Sequence, residues 1–509
     1  MFGLVLEKKS NVRYLRDKNF CWDPGIFKYL GIRFSVNTKE IPSLNFDGKF
    51  QEIQNLLNKW KRRQLTPFGK IAIIKTLAIS KITHLFMSIP DPSKKFLCDL
   101  NKLFYEFLWN CKPSRISKDV VCKSYDEGGL KMLNVYTFLS TMKINCLKRT
   151  LMSTDNQSRL AFAMYPHLEY IKHHGSHYCK KLLDEMKNDF WKDVLYHFHL
   201  FQIKCTPKNV VDFCSEPLFD NMNILVNGRA ICYKSYIDNG IYQVSHLLKA
   251  NGEFLSFGDL CIKYPLLQTN FLHYHGLVNA VRQYKNYLNI DCLQEYFLCE
   301  QKAIRILCEG NAKLQSFLNH NEVVPAGTKK WNESFENLNW KIIFIKCNKT
   351  TMDSKLRWFQ TRLLHRLLPT NRYLYLRRIK DCRICSFCGI EEETIRHLFW
   401  SCDFVKRFWA NLQSLLVEKC PLIHNLVFTE EMILFGHKEN MYCDKVFDLI
   451  ILIAKYYIYS NKFTSTIPSV FMFIHVIKRR YDIEKYLSIN VNKFHNFQLS
   501  WFPYKDLIL

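Results

Sequence analysis

The sequence predicts a mainly α-helical protein of several segments in series, with β structure confined to its start and a cysteine–histidine cluster towards its end. Three observations lead there. Gly (17) and Pro (15) are scarce beside Phe (39) and Tyr (26) in 509 residues, a balance that favours long helices over a turn-rich sandwich. Apolar residues recur at helical spacing in one stretch after another. No internal repeat and no low-complexity tract interrupts them. With 48% hydrophobic residues the chain can bury a sizeable core, and at ~100–200 residues per domain its length suits about three domains.

In chain order, Met1–Phe46 reads as β structure with turns. Asp23-Pro24-Gly25 is a turn signal, and Phe27–Phe34 has the mixed apolar and cationic pattern of a half-buried strand. Gly3-Leu4-Val5-Leu6 reads as an element entered midway, as a truncated gene would begin. Gln51–Met87 reads as two helices. Thr66-Pro67 caps the second, and Ile71, Ile74, Ala78 and Ile82 form its apolar stripe. Ile89-Pro90-Asp91-Pro92 breaks the pattern. Phe96–Trp109 resumes it with Phe96, Leu100, Leu103, Phe104, Phe107 and Leu108 on one side. Gly128-Gly129 marks a loop before a helix near Val135–Leu151. The stretch from Thr150 to about Lys330 reads as a mostly helical connector, with helical patches at Cys179–Leu200 and Phe271–Tyr287 and a loop entering a short helix at Ser256–Leu260. Beyond Trp331, Lys355–Leu368 and Asn371–Lys380 read as helices parted by Pro369, with Thr370 capping the second. Ile395–Leu415 and Val446–Asn461 read as further helices.

The charge narrows the class of partner. Lys and Arg total 72 against 46 acidic residues, a formal net charge of +26, and a polyanion is the natural counterpart of such an excess. Nucleic acid is the leading candidate; a ribosome-like or membrane-surface protein is the alternative. Met1–Arg16 is interrupted by charges, so no secretory signal is expected. No apolar run approaches the ~20 residues of a membrane span, and the nearest, Leu449–Ala454, stops at Lys455. The expected location is nucleus or cytoplasm, with the 20 cysteines reduced.

Two stretches concentrate the positive charge. Asn55–Lys81 holds seven Lys or Arg and no acid, among them Lys61, Arg62, Arg63 and Lys70. Lys355–Lys380 holds eight and no acid, among them Arg357, Arg362, Arg366, Arg372, Arg377 and Arg378. Guanidinium forks match phosphate geometry, and such contacts position a backbone without reading its sequence. Leu356, Phe359, Leu363 and Leu367 would face the core, while Arg362 and Arg366, four apart, would share another helix face. Trp358, Tyr373 and Tyr375 are candidates to stack on bases. The competing reading of any one arginine is a solvated helix face. For the two acid-free stretches together, binding is favoured, because solvated helices usually mix charge signs. RNA or DNA is therefore the expected partner, bound without strong sequence preference; the oligomeric state is not legible.

One cluster has metal-ligand spacing: Cys385-x2-Cys388-x8-His397-x4-Cys402. Zinc takes four ligands in a tetrahedron, and thiolate with imidazole suits it. Gly389 after the second cysteine permits the left-handed backbone that turns amides towards sulfur. His397 and Cys402, five apart, suit a helix end. Four filled positions leave no place for a substrate water, so one structural Zn²⁺ is expected. The competing reading is three core cysteines and a surface histidine. Cys382 offers an alternative pair with Cys385 but lacks a following glycine at that register.

These residues carry a resemblance. KLRWFQTRLLHRLLPTNRYLY and CSFCGIEEETIRHLFWSCDFVKRFW resemble the zinc-binding C-terminal segment of LINE-type non-LTR retrotransposon polyproteins. KWKRRQLTPFGKIAIIKTLAISKITHLF, FYEFLWNCKPSRIS and EGGLKMLN are similar to the thumb of the same reverse transcriptases. FKYLGIRF resembles their primer-grip hairpin, Gly3-Leu4 with Lys9-Ser10 resembles the preceding palm motif, and IAKYYIYSNK resembles their end. The resemblance implies four segments: a palm remnant with a small β-hairpin (1–50), a helical thumb (51–150), a helical connector (151–330) and a Cys3His zinc-binding C-terminal domain (331–509). The family's polymerase needs palm aspartates holding two Mg²⁺, two of them adjacent. This sequence contains no Asp-Asp dipeptide, and the family's endonuclease is not matched either. The expectation is a C-terminal remnant with neither active site, hence no enzyme. No G-x-S-x-G, phosphate-binding glycine loop or H-E-x-x-H offers another chemistry. Two other readings compete: an incomplete gene model of an active RNA-directed DNA polymerase, and a domesticated zinc-dependent protein-binding scaffold.

Overall fold

The computed structural model describes residues 26–152, 161–204, 206–207, 209–249, 251–290, 310–319, 321–420, 426–436 and 445–508. The turn expected at Asp23-Pro24-Gly25 and the palm-like start lie outside them. The protein is mainly helical, with a two-stranded antiparallel hairpin near its start and a Cys/His cluster in its C-terminal region. Its chain divides into two compact units: residues 1–62, 73–106 and 133–320, and residues 63–72, 107–132 and 321–509. The four segments read along the sequence describe stretches of chain. Compactness groups them differently, since the second unit draws two short stretches from the thumb-like segment.

In the first unit the hairpin pairs Ile26–Tyr29 with Ile32–Ser35. Phe27–Phe34 is therefore two strands, not one. Leu30 and Gly31 take φ of 47° and 82°, the left-handed pair a two-residue hairpin turn requires. Phe27 stacks on Phe34 at 5.3 Å between ring centroids, but the first strand is exposed throughout. Helix begins at Ile41, so the expectation of β structure to Phe46 and of a helix start at Gln51 are both corrected. Pro42 lies in the first turn, where its missing N–H costs nothing. Asn45 ties hairpin to helix, its amide donating to Arg33 O at 2.7 Å while its oxygen accepts from Arg33 N at 2.8 Å.

After Pro67–Ile73 the helical path passes through a π turn at Ile74–Ala78, closed by Ile79 N–H on Ile74 O at 2.9 Å, and continues as Ser80–Ser88. Ile71, Ile74, Ala78 and Ile82 are all buried, as their spacing implies. Phe46 packs on Phe86 and Phe96 at 5.7 and 5.3 Å. Helices Val135–Met152, Ser176–Glu185 and Asp189–Lys204 surround a second core that includes Leu147, Leu182, Trp191 and Leu195. A third gathers Phe213, Phe219, Tyr236, Leu277 and Val281 beneath the helix Phe271–Tyr287. Asn270 caps that helix and Ser256 caps Phe257–Lys263, each side chain accepting the backbone N–H three residues on. The connector is not wholly helical: a second small hairpin pairs Leu225–Val226 with Arg229–Ala230.

The second unit is built on one large core. Its central helix, Lys445–Asn461, is buried on most sides, and Trp331, Phe359, Leu363, Phe399, Leu412 and Phe473 pack in the same cluster. Helices Val470–Asn490 and Phe494–Trp501 complete it. Lys355–Leu368 and Asn371–Lys380 are shorter than expected, at Ser354–Leu364 and Asn371–Leu376. Both end in the same way. Arg366 and Arg378 adopt φ of 56° and 54°, and the next residue's N–H reaches back five residues, Leu367 to Arg362 O at 2.7 Å and Ile379 to Leu374 O at 3.0 Å. This is the Schellman closure, with arginine in the place glycine usually takes.

Candidate metal centre and cationic surface

The metal-ligand candidates are set by two local devices. In the first, Cys385 N–H donates to Glu391 O at 2.8 Å and Glu393 N–H to Arg383 O at 2.9 Å, so the chain doubles back across the Cys-x2-Cys turn. Gly389 closes that turn, its N–H on Cys385 O at 3.1 Å and its φ at 67°. The expected amide-to-sulfur bond is present, Phe387 N–H to Cys385 Sγ at 3.4 Å. In the second, His397–Ser401 form a π turn closed by Cys402 N–H on His397 O at 3.0 Å. Residues five apart diverge on an α-helix, whereas a π turn brings them back to one face. The single helix expected over Ile395–Leu415 is therefore broken at Cys402, from which Asp403–Lys419 restarts.

Cys385 Sγ, Cys388 Sγ, His397 Nε2 and Cys402 Sγ converge, with one ligand atom from each within 4.8 Å of the others. Cys385 Sγ lies 4.0 Å from Cys402 Sγ, and Cys388 Sγ lies 3.4 Å from His397 Nε2. A zinc tetrahedron has edges of about 3.8 Å between sulfurs and about 3.6 Å between sulfur and nitrogen. The donor set thus fits one zinc ion. Cys382 is exposed and outside the cluster. The Cys385 thiol donates towards Cys402, which raises Cys385 with the help of burial and lowers Cys402; the Phe404 and Val405 amides lower Cys402 further. Glu391 Oε2 lies 2.8 Å from His397 Nδ1, while Nε2 is the ring nitrogen turned to the cluster.

One residue that sequence reasoning missed organises this region. Glu393 is fully buried; its carboxylate accepts from Asn371 N at 2.8 Å and Ser386 N at 3.2 Å, and pairs with Lys462. Lys462 also donates to Pro369 O at 2.8 Å. The only local signal was the acid run Glu391-Glu392-Glu393 beside the cluster.

The cations divide into buried and exposed sets. Lys70 is corrected as a nucleic-acid contact: it is 4% exposed, and its ammonium caps the helix Lys94–Trp109 through Phe107 O at 3.0 Å, Leu108 O at 3.2 Å and Asn110 Oδ1 at 2.5 Å. Arg362 and Arg366 do not share a helix face, because the helix ends between them. Arg362 is half-buried over Tyr459, and Arg366 lies over Trp331 at 4.5 Å while donating to Lys330 O. Arg357 is half-buried and donates to Asn348 O. Trp358 is half-buried beside Phe68 and Trp109, at 6.5 and 6.2 Å between ring centroids. Lys61, Arg62, Arg63, Arg372, Arg377 and Arg378 are exposed. Arg372 pairs with Glu392 at 3.3 Å, Arg377 lies 4.9 Å from the Tyr373 ring centre, and Arg383 lies 5.9 Å from that of Tyr375.

Among the described residues no single helix is long and apolar enough to cross a membrane. Residues 328–409 match a family model described as zinc-binding in reverse transcriptase, and all four converging donors lie within that match.

Proposed function

We propose that this chain is a non-catalytic, nucleic-acid-binding piece of a LINE-type retrotransposon reverse transcriptase, its C-terminal region held by one structural zinc ion. The premise is the reverse-transcriptase-related zinc-binding region at residues 328–409. The observation that carries the reading is the convergence of Cys385, Cys388, His397 and Cys402 at tetrahedral spacing inside it. When bound, zinc would cross-link the Cys-x2-Cys turn to the start of Asp403–Lys419, so its binding free energy would act as local folding free energy. Exposed arginines at and after Asn371–Leu376, with a formal charge of +26 on the whole chain, support RNA or DNA as the partner. The lack of an Asp-Asp dipeptide in the sequence supports the non-catalytic reading. Metal analysis of the purified chain, with titration of labelled RNA and DNA across a salt series, tests the proposal. One zinc per chain and an affinity that falls steeply with salt are expected. A metal-free chain, or one that binds no nucleic acid at low salt, overturns it.

A further inference from the structure

The second unit contains a cleft of about 640 Å³ whose walls carry Arg115, Lys330, Arg366, Arg372 and Arg377 and no acidic residue. These cations come from three separate stretches of chain, so helical periodicity does not account for their meeting. Arg115, Lys330, Arg372 and Arg377 are exposed, and Arg366 is half-buried. Two acids outside the lining act on them: Glu392 pairs with Arg372 at 3.3 Å, and Glu333 favours the charged form of Arg366. Burial, with Arg372 and Arg396 nearby, holds the Arg366 guanidinium below its usual range. Beneath the charged rim the cleft has an apolar floor that includes the buried Ile116, Val120, Leu368 and Ile395, and Tyr373 stands beside it.

We propose that this cleft binds single-stranded nucleic acid, with backbone phosphates along the cationic rim and an unpaired base against the apolar floor and Tyr373. The inference rests on the nucleic-acid-binding reading above and gives it a location and a strand preference. Phosphate supplies the missing counter-charge, and guanidinium forks suit it. The volume falls within the ~300–1,000 Å³ range of pockets that enclose small ligands, room for a nucleotide unit rather than a double helix. A base reaches an apolar floor only when it is unpaired, and stacking on an aromatic ring is indifferent to its identity.

The test uses the full zinc-loaded chain and 12-nucleotide RNA and DNA strands, each also supplied as a duplex, with binding read by fluorescence anisotropy. The variant Arg115→Ala/Lys330→Ala/Arg377→Ala is compared with Lys478→Ala/Arg479→Ala/Lys485→Ala, which removes the same charge from an exposed helix elsewhere. The inference expects single strands to bind more tightly than duplex. It expects the cleft variant to lose at least tenfold in affinity and its log–log salt slope to flatten by about two, at ~0.7 per phosphate contact on a single strand. The comparison variant should change less than threefold. Photo-cross-linking from a thio-substituted base should label the peptide that contains Tyr373. Equal losses in the two variants, duplex bound as tightly as single strand, or cross-links confined to other peptides would overturn the cleft assignment while leaving nucleic-acid binding intact. A native chain that binds neither strand nor duplex at low salt would instead overturn the reading beneath it.

Discussion

Glu393 and Lys462, 69 residues apart in sequence, form an ion pair in which both side chains are removed from water. The pair joins the turn of the candidate metal site to the segment that follows the central helix Lys445–Asn461. Burial holds the Lys462 ammonium below its usual range while Glu393 opposes that shift. Breaking such a pair leaves a buried, uncompensated charge at a cost of about 3–5 kcal/mol. Glu393→Ala should therefore lower stability on that scale, and Glu393→Ala/Lys462→Met should recover part of the loss. Urea unfolding of the single and double variants measures it. A single variant as stable as the parent would show that the pair contributes nothing.

Metal content discriminates the ligand pairs. Cys388→Ser should lose zinc and loosen residues 371–409, while the first-unit helices around Ile74 keep their protection from hydrogen exchange. Cys382→Ser should retain one zinc. The reverse pattern, measured by elemental analysis of the purified variants, would identify Cys382 and Cys385 as the turn ligands.

Lys455 provides a pH signature. It is buried, donates to Gln360 Oε1 at 2.7 Å and Leu434 O at 3.3 Å, and burial pushes its pKa down to about 7, against smaller opposing effects of Cys347 and Asp448. Between about pH 7 and the ordinary lysine range the folded chain has released this proton while the unfolded chain still holds it. The unfolded state binds more protons there, so this residue's contribution makes stability rise with pH, by at most about 1.4 kcal/mol per pH unit. Lys455→Met should remove that slope. Parallel stability–pH curves for the two proteins would contradict the assignment.

Arg378 should act on backbone strain as well as charge. It occupies the left-handed position that closes Asn371–Leu376, where a side chain costs roughly 1 kcal/mol relative to glycine. Arg378→Gly is expected to raise the melting temperature slightly while weakening nucleic-acid binding. Arg366→Ala should instead destabilise, because it uncovers Trp331 and removes the bond to Lys330 O. Thermal scans beside binding titrations separate the two effects; a destabilised Arg378→Gly would refute the strain argument.

Purified protein with Mg²⁺, dNTPs and a primed template should give no extension above a no-enzyme control. Template-directed product from this chain would overturn the non-catalytic reading.

Much of the local structure was legible in the residues themselves. Thr370 is a helix cap, Ser256 stands at the entry to a short helix, and Gly389 is in the left-handed conformation its place after Cys388 required. The four donors converge because their spacing uses only two tight turns. The cap bonds and the bonds that close the two turns, Gly389 N–H on Cys385 O and Cys402 N–H on His397 O, span at most five residues, so the sequence alone carries them; the bonds that fold the chain back across the first turn, to Glu391 O and Arg383 O, reach further. The helix ends at Leu364 and Leu376 were less legible, because arginine replaces glycine in both closures and the composition signal vanishes.

Tertiary structure alone decided which cations face water. Lys70 and Arg377 both stand in acid-free stretches, yet Lys70 is buried because the carbonyls at the end of a helix 37 residues away need a donor. Arg377 remains exposed beside a cleft that also draws on Arg115 and Lys330. A pattern of charges along a chain states how many there are, whereas their solvation depends on which distant groups fold against them. The same reason hid Glu393: an acid in a run of three reads as solvated until a lysine 69 residues on, just past the end of the central helix, is placed beside it.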